Sequence, residues 1–225
     1  MRVLVFAAHQ DDESIGMAGT IYKHTQRGDE VKVVFMTDGS GGALDVDPKE
    51  LSRTREKEAI DACKVLGTDD VEFFRFKDGF LFYDYDTLVK TGRVIRSFRP
   101  DRVYVQHGEA PRGEDNLDHI NTYYLVREAV FKTQYRNYPE FGKEIWRTSE
   151  LYAYEVLYPL PEPNAFVDIT DIIEVKKKAI RQHRSQMAAQ PYWEQTGLAL
   201  NRWRGLFTGL GEYVEAFKAV KTRLF

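Results

Sequence analysis

The densest group of chemically useful side chains in this 225-residue sequence is His9-Gln10-Asp11-Asp12-Glu13, directly after a short apolar run. A histidine and a carboxylate three positions on, here His9 and Asp12, can bind one divalent cation from a tight turn, and their nitrogen and oxygen ligands suit zinc. A neighbouring carboxylate outside the ligand set can take a proton from water. The alternative is that the three acids only favour the start of the following helix through its dipole.

A second group, Asp118-His119, follows another apolar run and stands at the start of a predicted helix. Two histidines and one aspartate would complete a three-ligand catalytic zinc site with an open position for water. The alternative is a helix capped by Asp118 that carries a histidine in its first turn. Taken together, the two groups favour a shared metal site over two unrelated helix starts.

The segments that must position these groups alternate between strand and helix patterns. Short apolar runs predict strands at Arg2–Ala7, Val31–Met36, Val71–Phe76 and Arg102–Gln106. Amphipathic or capped segments predict helices at 15–27, 50–66, 87–98 and from about His119. This alternation predicts an α/β fold, with helices on both faces of a mostly parallel sheet. Ligands of such sheets bind beyond the carboxyl ends of the strands, so both groups are expected at one crevice.

The second half of the chain has a weaker pattern. Prolines interrupt aromatic, strand-like runs such as Leu151–Tyr158 within 134–170, which predicts an irregular, strand-rich segment. Helices are expected at about 171–186 and 210–222. No repeat, linker or low-complexity tract is visible, so we expect one domain over residues 1–225.

The composition excludes several classes of protein. Hydrophobic residues make up 43% and charged residues 30% of the chain, which excludes a disordered segment and a fibre. A net charge of −3 provides no excess of positive charge for nucleic acid or an anionic membrane. The single cysteine, Cys63, favours a reducing compartment, and no run approaches the roughly 20 apolar residues that span a bilayer. We therefore expect a cytoplasmic protein with no nucleic-acid partner and no membrane insertion.

The motif AHQDDE at 8–13 resembles the AHPDDE signature of the PIG-L/LmbE family of zinc-dependent N-acetylglucosamine deacetylases. Further segments are similar to that family: TDGSGG (37–42), REKEAIDACKVLG (55–67), IRSFRPDRVYV (95–105), NLDH (116–119), AIRQHRSQ (179–186) and RWRGLFTGLGEYVEAF (202–217). The resemblance implies a Rossmann-like three-layer sandwich. It also implies removal of acetyl from a small-molecule amino sugar or glycoside of the N-acetylglucosamine type.

Carried over position by position, the resemblance implies that Zn²⁺ is bound by His9, Asp12 and His119. Iron could replace zinc under reducing conditions, because this ligand set is not strongly selective. The resemblance leaves open a homo-oligomer.

The remaining roles also come from the resemblance. Asp11 would be the general base that activates water for attack on the acetamide carbonyl. Arg55 and Asp78 would contact the substrate, although ordinary salt bridges on a helix and a loop explain them equally well. Asp118 would orient a histidine ligand.

Two positions depart from the family pattern. Gln10 replaces the usual proline, which affects backbone stiffness more than chemistry. Asn116 stands where the family more often has a histidine that assists the oxyanion and the leaving group. Asparagine can donate a hydrogen bond to an oxyanion but cannot deliver a proton. The acid is then Asp11 after it has accepted the water proton, His107, or a group that the sequence does not identify.

The substitution at Asn116 also supports a second interpretation, a metal-binding carbohydrate-recognition protein with little or no turnover. A third is a zinc hydrolase acting on another amide or ester. Retention of Asp11 favours an enzyme, because a metal clamp needs no spare carboxylate beside its ligands.

Overall fold

Seven strands of one sheet organise the computed structural model, which describes residues 1–108 and 116–222. The strands are β1 (Arg2–Ala7), β2 (Glu30–Thr37), β3 (Val71–Phe76), β4 (Arg102–Gln106), β5 (Glu150–Tyr154), β6 (Ala165–Asp168) and β7 (Val214–Lys221). Their order across the sheet is β3-β2-β1-β4-β5-β7-β6. The first five strands of this order pair in parallel, and β7 is antiparallel to both of its neighbours.

Helices cover both faces of this sheet. They are α1 (Asp12–Gln26), α2 (Pro48–Val65), α3 (Tyr85–Phe98), α4 (Leu117–Lys132), α5 (Ile173–Ile180), α6 (Arg184–Ala189) and α7 (Trp193–Thr208). Strand β1 shows why two layers are needed, because Val3 and Val5 belong to one apolar cluster and Leu4 and Phe6 to the other. All four side chains are fully buried. The predicted α/β architecture with a mostly parallel sheet is therefore confirmed.

The expectation of a helix at 210–222 is wrong, because this segment is strand β7. Its composition permits a helix, but pairing with β5 and β6 on both sides buries Val214 through Phe217 and satisfies the backbone as a strand. The helix of this region, α7, lies upstream and ends at Gly209, whose φ of 68° suits a left-handed cap. The expected helix at 171–186 is split into α5 and α6.

Contacts with β7 hold helix α1, which begins within the group His9-Gln10-Asp11-Asp12-Glu13. The helix is interrupted at Met17, where φ is −146°. The Glu215 carboxylate accepts hydrogen bonds from the amides of Gly19 (3.0 Å) and Thr20 (2.8 Å), and from Lys176 Nζ (2.8 Å). Strand β7 therefore fixes the helix that begins at Asp12, one of the metal-ligand candidates.

Gly16 allows α1 to lie directly against the sheet. A Cβ at this position would be 2.3 Å from the carbonyl oxygen of Glu155 and 2.5 Å from the ring of Tyr154. Only glycine permits this approach without a shift of the backbone. Among the described residues, no helix is both long and apolar enough to cross a membrane.

Candidate metal and catalytic site

The turn between β1 and α1 brings His9 and Asp12 together. The amide of His9 donates to Asp12 Oδ2 at 2.8 Å, and the amide of Asp11 donates to the His9 carbonyl at 3.1 Å. Asp11 has a φ of 154°, a conformation that L residues adopt rarely and that is enriched at functional sites. The sequence after β1 is thus folded into a tight loop with its polar side chains at the carboxyl edge of the sheet.

His119 reaches the same edge from the first turn of α4. Its Nε2 lies 3.2 Å from His9 Nδ1 and 3.4 Å from Asp12 Oδ1, and His9 Nδ1 lies 3.6 Å from Asp12 Oδ2. Ligands of a tetrahedral zinc ion with bonds of about 2.0–2.1 Å stand about 3.3–3.4 Å apart. The three predicted ligands therefore fit one ion, with a fourth position left for water or substrate.

The other nitrogen of His9 faces carboxylates. His9 Nε2 lies 3.2 Å from Asp118 Oδ2 and 3.3 Å from Asp78 Oδ1. Asp118 is itself fixed, because its oxygens accept hydrogen bonds from the amides of Gly79 (2.6 Å) and Leu81 (3.0 Å). A hydrogen bond from Nε2 to Asp118 leaves Nδ1 as the acceptor face of His9.

A second set of possible ligands shares this histidine, namely His9, Asp78 and Asp118. Asp118 is already engaged by two backbone amides, and this set offers one nitrogen instead of two. The set with Asp12 and His119 is the better match to zinc for that reason.

Neighbouring charges and hydrogen bonds explain the pKa shifts of His9 and Asp12. Burial lowers the pKa of His9, but hydrogen bonds to Asp118, Asp12 and Asp78 outweigh burial and raise it well above the ordinary value. Burial raises the pKa of Asp12, but His119 and His9 together hold it well below the ordinary value. Asp12 is thus ionised, as a metal ligand must be.

Asp11 has a different environment from Asp12. Burial and the negative charge of Asp12 raise its pKa to about 6, against the lowering effects of Arg55, His183 and His9. Its Oδ1 lies 3.4 Å from Arg55 Nη2, whereas its buried Oδ2 has no hydrogen-bond partner among the described residues. A carboxylate with a raised pKa and a spare oxygen is suited to accept a proton.

Arg55 and Asp78 both border the site. Arg55 is 2% exposed and donates to the carbonyls of Gln10 (3.0 Å) and Gly39 (3.2 Å), so part of its guanidinium holds the loops after β1 and β2. Asp78 Oδ2 accepts from the amide of Gly41 at 2.9 Å. Burial raises the pKa of Asp78, but its bond to His9 and the other contacts lower it to about 2.

These side chains surround a cavity of about 270 Å³. The polar part of its lining includes the metal-ligand candidates with Asp11, Arg55, Asp78 and Asn116, and the apolar part includes Ile15, Val156, Leu157 and Trp193. Four larger surface cavities of the described residues, with volumes of about 710, 580, 360 and 300 Å³, contain none of the predicted site residues. We place the chemistry in the smaller cavity, because the donor set lies there.

Asn116 borders the cavity and also caps α4. Its Oδ1 accepts from the amide of Asp118 at 2.9 Å, which matches an N-cap residue. His107, the alternative acid, is buried, and its Nε2 lies 3.0 Å from the carbonyl oxygen of Tyr158. It does not line the cavity. The rest of its loop, 109–115, is outside the described residues.

Three cavity residues from α6 and its connection to α7 were not predicted as site residues: Gln186, Gln190 and Trp193. The sequence signal for Gln186 is the AIRQHRSQ segment at 179–186, which is similar to a segment of the PIG-L/LmbE family. His183 is fully buried, and its Nε2 contacts Glu13 Oε1 at 3.2 Å and Ser14 Oγ at 3.1 Å. His183 therefore stabilises the turn after β1 without lining the cavity.

The sequence and the fold of this protein match those of known proteins. The sequence profile of the PIG-L family, described as GlcNAc-PI de-N-acetylase, matches residues 4–130. A diacetylchitobiose deacetylase of Thermococcus kodakarensis is 33% identical over 198 residues, covering 86% of this chain and 72% of that protein. A 4-oxalmesaconate hydratase of Pseudomonas putida is 30% identical over 211 residues, covering 88% and 78%.

Among solved structures, the N,N′-diacetylchitobiose deacetylase of Pyrococcus horikoshii superposes with a TM-score of 0.90. The two chains are 32% identical, and the match covers 97% of this chain and 83% of the other. The family match includes both groups of predicted metal ligands, and the fold agreement extends over nearly the whole chain. This protein therefore belongs to the PIG-L family, described as GlcNAc-PI de-N-acetylases.

Proposed function

We propose that this protein is a zinc-dependent N-deacetylase that removes acetyl from an amino sugar or glycoside of the N-acetylglucosamine type. The observation that carries the proposal is the arrangement of four side chains around one cavity. Three side chains form a ligand set of tetrahedral dimensions, and the buried carboxylate of Asp11 stands beside them with a raised pKa. The deacetylase relatives support the same chemistry.

His9, Asp12 and His119 would hold the ion, which when bound supplies a Lewis acid that polarises the acetamide carbonyl and favours ionisation of water. Asp11 accepts the proton of the attacking water as a bond forms between the water oxygen and the carbonyl carbon. The carbon–nitrogen bond then breaks, and Asp11 returns the proton to the leaving amine. Acetate and a free amino sugar are the products.

Asn116 assists without moving a proton. It borders the cavity, and an amide N–H can donate a hydrogen bond to the negative oxygen that develops during attack. Since His107 contacts a backbone carbonyl and lies off the cavity, Asp11 is the better candidate for both proton transfers.

The cavity supports a small, uncharged substrate. Its volume of about 270 Å³ is slightly below the range typical of sites for drug-sized ligands, and suits a single sugar ring. Asp11, Asp12 and Asp78 make the polar part of the lining acidic. Among the described residues that line the cavity, Arg55 is the one arginine or lysine. An amide substituent on a neutral sugar meets less repulsion there than a carboxylate does.

The hydratase relative favours a second candidate, addition of water to a carbon–carbon double bond of a carboxylate substrate. The same ligand set and base would serve such a reaction. The acidic cavity disfavours it, because substrate carboxylates would stand near three aspartates.

A product assay separates these functions. Protein loaded with zinc is incubated with N-acetylglucosamine, a simple glycoside of it and N,N′-diacetylchitobiose, and acetate is measured. We expect acetate and free amine in equal amounts, and loss of both in Asp11→Asn with its metal retained. Sugar binding without acetate would support the carbohydrate-recognition protein instead. Hydration of an unsaturated dicarboxylate without acetate release would support the hydratase.

A further inference from the structure

Gln186 combines burial, contact with the cavity and an unused acceptor. It is 1% exposed and borders the cavity. Its amide nitrogen lies 3.4 Å from Ser185 Oγ, whereas its Oε1 accepts no hydrogen bond from any residue that the structure describes. Leaving a buried acceptor unpaired costs about 1–3 kcal/mol, so native proteins generally provide a partner.

Contacts with two other helices anchor the start of helix α6, directly before this residue. The amide and hydroxyl of Ser185 donate to the Glu58 carboxylate on α2 at 2.9 and 2.7 Å. The preceding His183 contacts Glu13 of α1 at 3.2 Å. These contacts hold the start of α6 against α1 and α2, and so position the backbone of Gln186 beside the cavity.

Gly42 keeps the space beside Gln186 open. A Cβ at this position would be 2.2 Å from Arg55 Nη1 and 2.8 Å from Gln186 Oε1. Arg55 Nε is also buried without a hydrogen-bond partner in the described part of the chain, so the two groups do not satisfy each other. The missing partner of Gln186 is then a donor that enters with a ligand.

We propose that Gln186 is a specificity-determining residue whose Oε1 accepts a hydrogen bond from one ring hydroxyl of the amino sugar. This inference rests on the proposed function. The acetamide is engaged by the metal ligand set and Asp11 in that reaction, so the donors left for Gln186 are hydroxyl groups. Trp193, half-buried in the apolar part of the cavity lining, supplies a surface on which the carbon face of the ring can pack.

The test uses the methyl glycoside of N-acetylglucosamine and its 3-, 4- and 6-deoxy analogues with the zinc-loaded protein. Wild type should lose about 10- to 100-fold in kcat/KM on one analogue, the scale of a lost hydrogen bond to a buried group. Gln186→Met, which keeps the length of the side chain, should lose a similar factor on the parent glycoside and nothing further on that analogue. Gln186→Glu retains an acceptor and should recover part of the discrimination.

Gln195→Met is the matched control, because Gln195 is exposed on α7 and does not line the site. It should retain the wild-type pattern. Equal discrimination by wild type and Gln186→Met would overturn the inference. So would wild-type protein that accepts all three analogues as well as the parent, a result that does not depend on folding of any variant.

Failure of the proposed function gives a different result. If no acetate is released, calorimetric binding of the same four glycosides replaces turnover. If wild type binds one analogue more weakly than the parent glycoside and Gln186→Met binds both equally, the role of Gln186 is supported while deacetylation is rejected. No discrimination in binding would reject the role of Gln186 as well.

Discussion

Asp11 and Asp12 are adjacent in the chain, but their carboxylates have opposite surroundings. Asp12 faces two histidines, which hold its pKa well below the ordinary value despite burial. Asp11 is buried beside Arg55 and has a pKa raised to about 6. Asp12 is thus suited to remain ionised as a metal ligand, whereas Asp11 is suited to accept and release a proton.

Substitution separates these two roles. Asp11→Asn should leave metal content and fold unchanged while lowering kcat by about a hundredfold or more, the usual scale for loss of a general base. Asp12→Asn should instead lower the affinity for the metal, because it removes a charged ligand. Metal analysis beside steady-state kinetics checks both variants. Identical behaviour of the two would contradict the assignment.

Asn116 combines a cap with a place in the cavity. Asn116→His should add a proton donor and raise turnover, and should lower the free energy of unfolding by about 1 kcal/mol because the N-cap of α4 is lost. Asn116→Ala is the control, with a similar loss of stability and no added donor. Denaturant unfolding and kcat measure the two effects. Equal turnover in the two variants would show that no acid is missing at this position.

At the scale of single residues, the structure brings together the ligand candidates that the sequence indicated, whereas the sequence did not indicate that Gln186 borders the cavity. His9 and Asp12 are three positions apart, so local spacing indicates a shared cation. Gln186 acquires its place only when Ser185 binds Glu58 on a distant helix. A glutamine in isolation also carries no signal of its burial.

At the scale of elements, the last strand stabilises the first helix. Lys176 and Glu215 form a fully buried ion pair, and Glu215 also binds two amides of α1 next to its interruption. Removing one member of such a pair leaves an uncompensated charge in the interior. The late segments therefore matter for the position of the site, although the family profile ends at residue 130.

Lys176→Met should lower the free energy of unfolding by about 3–5 kcal/mol. The double variant Lys176→Met/Glu215→Gln should recover part of this loss, because the amide oxygen still accepts from α1 without a buried charge. Lys177→Met is the control, since its pair with Glu174 is on the surface and contributes little to stability. Denaturant unfolding compares the three. Similar losses in the two single variants would mean that the buried pair does not fix α1.

Strands predicted from apolar runs agree closely with the structure, since β1, β3 and β4 have the predicted bounds. Strands β1 and β4 are buried in the middle of the parallel sheet, so a continuous apolar run is a sufficient signal there. Strand β3 lies at the edge of the sheet and is only partly buried. Strand β7 lies within 210–222, where a helix was expected, and Glu215 and Lys218 interrupt its apolar residues. Its state depends on partners more than 40 residues away, which local patterns do not record.

On the scale of the whole molecule, the two edges of the parallel strands have different roles. The carboxyl edge holds the site, and the opposite edge holds a polar cluster around Asp29. Burial raises the pKa of Asp29, but hydrogen bonds from the Met1 amino group, His24 and Arg27 outweigh it and hold the pKa well below its ordinary value. This cluster is suited to stability and is remote from the chemistry.

A depressed pKa makes the contribution of Asp29 dependent on pH. Unfolded aspartate binds a proton near pH 4, whereas folded Asp29 remains charged, so acid favours the unfolded state. Wild type should exceed Asp29→Asn in free energy of unfolding by a constant amount above about pH 4. The difference should shrink as the pH falls further. Urea unfolding of both proteins from pH 7 to pH 3 measures it, and a difference independent of pH would contradict this role.

The central claim, one catalytic metal held by His9, Asp12 and His119 beside the base Asp11, is tested most directly by titration of zinc into the chelated protein. Acetate release from an N-acetylglucosamine glycoside and bound metal are measured at each addition. We predict that activity rises in proportion to metal and reaches its plateau at about one ion per chain. The double variant His9→Ala/His119→Ala should bind no ion at this site and release no acetate. Full activity of the chelated protein, or full metal occupancy in the double variant, would contradict the account.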